Sequence, residues 1–208
     1  MSQNDKIRIV LIRHGIPQQH QGKIFLGQAD IPLSAVGRDE ASLAGEKLIA
    51  ENINPDLIYA SDLLRAFETA EIISQKLGDT EVVPDKLFRE MHMGSWDGEF
   101  IEEIKEKFPE EYEKRGEDIL NYRIPGGENF YDLRGRVSRE FYRLLSGEFQ
   151  ERIADGGSKD FVLVAHMGVI RALVAELTQD EEEATWKRSY PTGSVTIIEA
   201  PEWLEAKS

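Results

Sequence analysis

The sequence predicts an α/β fold, a three-layer α/β/α sandwich built on a mostly parallel sheet. Short apolar runs of strand length alternate with stretches of helical spacing along most of the chain. Two of those runs, Ile9-Val10-Leu11-Ile12 and Phe161-Val162-Leu163-Val164-Ala165, lead into histidines, at Arg13-His14-Gly15 and His166-Met167-Gly168. Finally, 208 residues can bury one substantial core, so residues 1–208 are read as a single domain. Ligands of open α/β sheets bind at the carboxyl ends of strands. Two such ends would aim two of the chain's four histidines into one crevice.

The first strand is expected at about 7–13, followed by a long loop to about 33. Ser34 can cap a helix that carries Ala41, Ala44 and Leu48 at helical spacing. Pro55-Asp56 leads into a short strand, Leu57-Ile58-Tyr59-Ala60, after which Ser61 is expected to cap a helix burying Leu64, Phe67, Ala70 and Ile73. Glu81-Val82-Val83 reads as a strand closed by Pro84. Periodicity weakens over 85–127, where Ile101, Ile104, Phe108 and Tyr112 suggest one or two short helices in an acidic insertion or lid. An amphipathic helix is expected from Phe130 to Phe149. The second histidine-terminated strand, a helix at about 169–178 and a last strand near 194–199 complete the series.

Composition narrows the chemistry. No apolar run approaches the ~20 residues of a membrane span, and Ile7 to Ile12 is too short for a signal-peptide core, so a cytoplasmic protein is expected. The absence of cysteine excludes disulfides, thiolate catalysis and cysteine-ligated metals. A net charge of −14 disfavours nucleic acid and anionic membranes as partners. It leaves room for a small anion, because screening limits distant charges to about a Debye length, ~8–10 Å. The sequence leaves the oligomeric state open, a homodimer included.

Arg13 and His14 follow a buried strand directly, and Gly15 permits close backbone approach by a ligand. His166 repeats that placement, with Arg171 little more than a helical turn beyond it. Arg65 opens the helix after the strand ending at Ala60. Alone it reads as a solvated helix residue. Together, imidazoles and forked guanidinium groups at three strand–helix junctions suit phosphate oxygens. Glu90, in apolar company before the Gly94-Ser95-Trp96-Asp97-Gly98 turn, is the candidate acid, since a partly desolvated carboxyl can stay protonated. His20 and His92 read as surface residues, and no histidine or acidic cluster has the spacing of a metal site.

In this order, these residues resemble the histidine phosphatase superfamily, with its phosphoglycerate mutase-like fold. The resemblance rests on Leu11 to Gly15, Gly27 to Ser34 with Gly37, and Ser61 to Ala66 with Thr69. It continues through Glu90 with Gly94 and Gly98, Pro125 to Glu128, and Val164 to Arg171. It implies that His14 is a nucleophile forming a phosphohistidine, and that Arg13, Arg65 and His166 bind the phosphoryl oxygens. Glu90 would protonate the leaving group, and Gly27, Gln28 and Met167 would touch a phosphomonoester substrate, with neither cofactor nor metal. His14 should then be neutral and His166 protonated, so their pKa values should be pushed apart.

The family also contains mutases. The roof expected from Glu99 to Asp118 carries nine acidic and four basic residues, which either form a solvated face or work against a doubly phosphorylated intermediate. The loop Ile16-Pro17-Gln18-Gln19-His20 lacks the hydroxyl and asparagine that mutases carry there. The chain looks most similar to the α-ribazole-phosphate phosphatase-like branch. That similarity suggests a nucleoside-like 5′-phosphate stacking on Phe25, Trp96 or Tyr122. A mutase and a non-catalytic phosphate-binding module are the alternatives.

Overall fold

Among the described residues, five strands form one sheet in the order β3-β2-β4-β1-β5. They are β1 (Arg8–Arg13), β2 (Leu57–Ala60), β3 (Glu81–Pro84), β4 (Asp160–Ala165) and β5 (Val195–Glu199). The first four in chain order run parallel, and β5 pairs antiparallel with β1. This computed structural model describes residues 6–18, 22–201 and 204. His20 lies outside them.

Side chains along β1 and β4 alternate between two apolar layers, as the period of two requires. Val10, Ile12, Val162 and Val164 pack with Ala44 and Leu48 of α1 (Ala35–Ala50) and with Ala70 and Ile73 of α2 (Leu64–Lys76). Ile9, Leu11, Phe161 and Leu163 pack with Val137 and Phe141 of α5 (Phe130–Ser146) and with Leu173 of α7 (Met167–Thr178). The remaining helices are α3 (Ile101–Lys107), α4 (Pro109–Glu117), α6 (Glu148–Ala154) and α8 (Glu182–Lys187). No helix among the described residues is long and apolar enough to cross a membrane.

Most expected elements are present, with local corrections. Ser34 caps α1, accepting the Gly37 N–H at 3.0 Å. Ser61 does not cap α2. That helix begins three residues later, and its first N–H, on Leu64, donates to Asp30 Oδ1 at 2.7 Å. Ala70 and Ile73 are buried as expected, but Leu64 is exposed and Arg65 is buried instead. The helix expected from Phe130 to Phe149 breaks at Gly147, where non-helical dihedrals separate α5 from α6. Leu144, Leu145 and Phe149 are buried on both sides of the break, so apolar spacing alone could not reveal it.

Residues 85–127 hold α3 and α4, and Trp96, Ile104 and Ile124 there pack with Phe25 in a separate apolar cluster. Seven of the nine acidic side chains between Glu99 and Asp118 are exposed. The acidic run is therefore a solvated face.

Candidate active site

The sheet order makes β1 and β4 neighbours, with Arg13 in register with Ala165. The next residue of each strand is a histidine, so the two imidazoles meet, with ring centroids 5.1 Å apart. The His14 N–H donates to the Ala165 carbonyl, and the Ser61 N–H donates to the Val164 carbonyl, which draws the end of β2 alongside. Three strand ends thus converge, and α2 and α7 start beside them.

His14 Nδ1 lies 2.7 Å from the Gly15 carbonyl oxygen. A carbonyl only accepts, so Nδ1 carries the proton and Nε2 keeps its lone pair. The ring is 3% exposed yet lines a cleft of about 240 Å3. His166 is fully buried, with Nε2 2.8 Å from Ser61 Oγ and Nδ1 without a partner among the described residues. Burial pushes both imidazoles well below the usual histidine range, and the Arg65 guanidinium pushes in the same direction. Both rings are shifted in the same direction, so His166 does not show the raised pKa expected of a protonated partner. Desolvation and nearby guanidinium groups lower both, and only His14 has an opposing influence, from the Gly15 carbonyl.

These shifts carry a consequence for stability. Unfolded imidazoles take up protons near pH 6.5, whereas the folded ones resist protonation, so below that point the unfolded state binds more protons. Stability is therefore lost as pH falls, at about 1.4 kcal/mol per pH unit for each imidazole. The His14→Asn/His166→Asn double variant should lose less Tm than the wild type between pH 7 and pH 5. An equal fall in both proteins would remove the histidines from this effect.

Four guanidinium groups and one carboxylate line the cleft: Arg13, Arg65, Arg115, Arg171 and Glu90. Arg65 donates to the backbone carbonyls of Gly27 and Ala29, while its Nε has no partner among the described residues. Burial lowers its pKa to about 10, so it stays charged. Arg13 donates to the Tyr190 carbonyl, and its Nε likewise has no partner among the described residues. Such buried N–H groups cost about 1–3 kcal/mol each unless an acceptor satisfies them. Arg171 donates to the Arg188 carbonyl and lies over the Trp186 ring.

Arg115 comes from α4 and lies over the Phe25 ring. Among the described residues it has no carboxylate partner. None of the nine acidic residues around it lines the cleft. The side of α4 that meets the cleft is cationic, so the acidic run does not set the cleft against an anionic leaving group.

Glu90 is held at the lip. Its Oε1 accepts the Met91 N–H at 2.8 Å, and its Oε2 accepts the Gly168 N–H at 3.1 Å, in the first turn of α7. A Cβ on Gly168 would come within 2.3 Å of Oε1, so this approach requires glycine. Gly15 is likewise required, because a Cβ there would meet the Gly37 carbonyl oxygen at 2.2 Å.

The cleft thus unites Arg13, His14, Gly27, Arg65, Glu90 and Met167, with His166 packed against His14. Gln28 does not line it. The Gln28 side-chain amide donates to the Glu90 carbonyl at 3.0 Å and steadies that loop. Phe25 and Trp96 are buried against each other, so neither offers a face for stacking, and Tyr122 packs at the edge of the same cluster. Among the described residues, Trp186 is the one phenyl or indole ring that lines the cleft. His92 is engaged by the Gly126 carbonyl and Asp97, outside the cleft lining. Sequence reasoning missed Arg115 and Trp186. Arg115 lies within an acidic run, and Trp186 belongs to a short helix without a clear apolar repeat.

The chain matches the histidine phosphatase superfamily (branch 1) over residues 9–203. It is 35% identical over 170 residues to phosphoglycerate mutase-like protein 4 of Arabidopsis thaliana, covering 81% of this chain and 70% of that protein. It is also 35% identical over 170 residues to the glucosyl-3-phosphoglycerate phosphatase of Mycobacterium tuberculosis, covering 82% and 74%. Among solved structures, the α-ribazole phosphatase of Shigella flexneri matches with a TM-score of 0.81 at 26% identity, covering 94% and 92%. A family match spanning nearly the whole chain, with relatives this similar over four-fifths of it, places this protein in the histidine phosphatase superfamily, as a phosphoric monoester hydrolase.

Proposed function

We propose that the protein is a metal-independent phosphomonoesterase that works through a phosphohistidine on His14. The observation that carries this reading is the Gly15 carbonyl, which holds the Nδ1 proton and leaves Nε2 nucleophilic between Arg13 and Arg65. Nε2 forms a bond to phosphorus as the P–O bond to the leaving group breaks, and Glu90 gives that oxygen its proton. Water then attacks the phosphorus, Glu90 takes the water's proton, and the P–N bond breaks to release phosphate. Arg13, Arg65 and His166 stabilise charge on the phosphoryl oxygens through fixed donors, which suits a reaction dominated by positioning and electrostatics.

The substrate reading follows from charge. A phosphoryl dianion matches Arg13 and Arg65, and Arg115 and Arg171 remain to face the rest of the substrate. This favours a phosphomonoester bearing a second anionic group, such as a phosphorylated hydroxy acid. The relative named for glucosyl-3-phosphoglycerate supports the same class. α-Ribazole 5′-phosphate is supported by likeness to the Shigella protein, but its expected aromatic platform is occupied by core packing.

A phosphate-release screen in EDTA tests both levels. Turnover should persist in EDTA, with kcat/KM higher for phosphorylated acids than for nucleoside 5′-phosphates. Arg115→Ala should raise KM for the acids about 10-fold, the value of one charge-assisted hydrogen bond. It should change KM for nitrophenyl phosphate by less than about 2-fold. Equal effects on both substrates would refute the charge argument, and transfer of phosphate between hydroxyls of phosphoglycerate would identify a mutase.

A further inference from the structure

The chain has no cysteine and four methionines. Three of these, Met91, Met93 and Met167, lie within the described residues, and all three line the candidate cleft. Thioethers are soft and adaptable, which suits a surface facing a variable leaving group. Each also adjoins a group that the phosphatase reading uses. Met91 follows Glu90 and donates its N–H to that carboxylate. Met93 packs against Gly27, whose carbonyl holds Arg65. Met167 begins α7 between His166 and Gly168. Met91 is 4% exposed, whereas Met93 and Met167 are only partly buried.

We propose that Met93 and Met167 form a peroxide-sensitive modification site that switches the cleft off. The thioether sulfur attacks one peroxide oxygen and the O–O bond breaks. Sulfur gains that oxygen and loses two electrons, and the peroxide is reduced to water. The flexible apolar side chain becomes a sulfoxide with a strong hydrogen-bond acceptor. Arg65, Arg115 and Arg171 supply donors in the same cleft, so the new oxygen competes with the substrate's anionic groups. Sulfoxide is reversible by methionine sulfoxide reductases, and this chain carries no thiol chemistry to confuse the readout.

The proposal rests on the phosphatase reading, and its test separates the two. The full chain is treated with hydrogen peroxide and assayed for nitrophenyl phosphate hydrolysis and for binding of inorganic phosphate, while mass spectrometry locates the added oxygen. Activity should fall at least about 10-fold as Met93 and Met167 gain oxygen, the scale of one lost charge-assisted contact. Phosphate present during treatment should protect, and sulfoxide reductases should restore activity. The Met93→Leu/Met167→Leu variant should keep more activity, relative to its own untreated sample, than the wild type does. Equal inactivation of both proteins, or unchanged phosphate binding and turnover after oxidation at both positions, would overturn the proposal. If untreated protein hydrolyses nothing, the phosphatase reading fails, and phosphate binding alone still decides the oxidation question.

Discussion

His14→Ala is expected to lower kcat by at least about 10^4-fold, on the scale seen when a covalent nucleophile is removed. The variant should still bind inorganic phosphate, because Arg13 and Arg65 are held by the backbone carbonyls of Tyr190, Gly27 and Ala29 and not by His14. Wild-type protein quenched during turnover should carry acid-labile, base-stable phosphate on His14, and the variant should carry none. Turnover at the wild-type rate without His14 would mean that another group attacks phosphorus. The neighbouring ring can be checked in the same experiment, since His166 Nε2 faces Ser61 Oγ at 2.8 Å and is less available for attack.

Glu90→Gln is expected to discriminate among leaving groups. An alkoxide needs a proton as it departs, so the first turnover with alkyl phosphates should slow about 10^2- to 10^3-fold, within the range of general acid catalysis. Nitrophenolate departs without help, and its burst should stay within about 10-fold of wild type. The phosphohistidine should then accumulate, because the same carboxylate is proposed to activate water in the second step. A uniform loss across leaving groups would point to a positioning role. Such a role has a structural basis, since the glutamine amide can replace only one of the two oxygens that accept from Met91 and Gly168.

The parts of the site carried by strands were legible in the sequence. A buried run ending in Arg-His-Gly and another ending in His-Met-Gly fix where their side chains emerge, and parallel pairing brings them together. Gly27, Glu90 and Met167 followed from the resemblance, and the cleft contains all three. Arg65 was legible as a candidate but not as a buried cation. Its guanidinium is enclosed by a segment distant in sequence, whose Gly27 and Ala29 carbonyls accept its N–H groups. Arg115 was hidden for the opposite reason. Local composition describes the outer face of α4, and one inward guanidinium does not alter that pattern. The shared lowering of both histidine pKa values is a property of the assembled pocket, because it arises from burial and from guanidinium groups on other segments.

The position of β1 in the sheet has a consequence for how the protein is made. Among the described residues, β1 pairs only with β4 and β5, which lie far downstream in the chain. Ile9 to Ile12, fully buried in the finished sheet, must wait with both edges unpaired while the intervening chain is synthesised. An apolar strand in that state is a template for pairing with other chains. Synthesis halted before β4 should therefore yield aggregates, not a slow enzyme, because the chemistry and the solubility of the chain are completed by the same late strand.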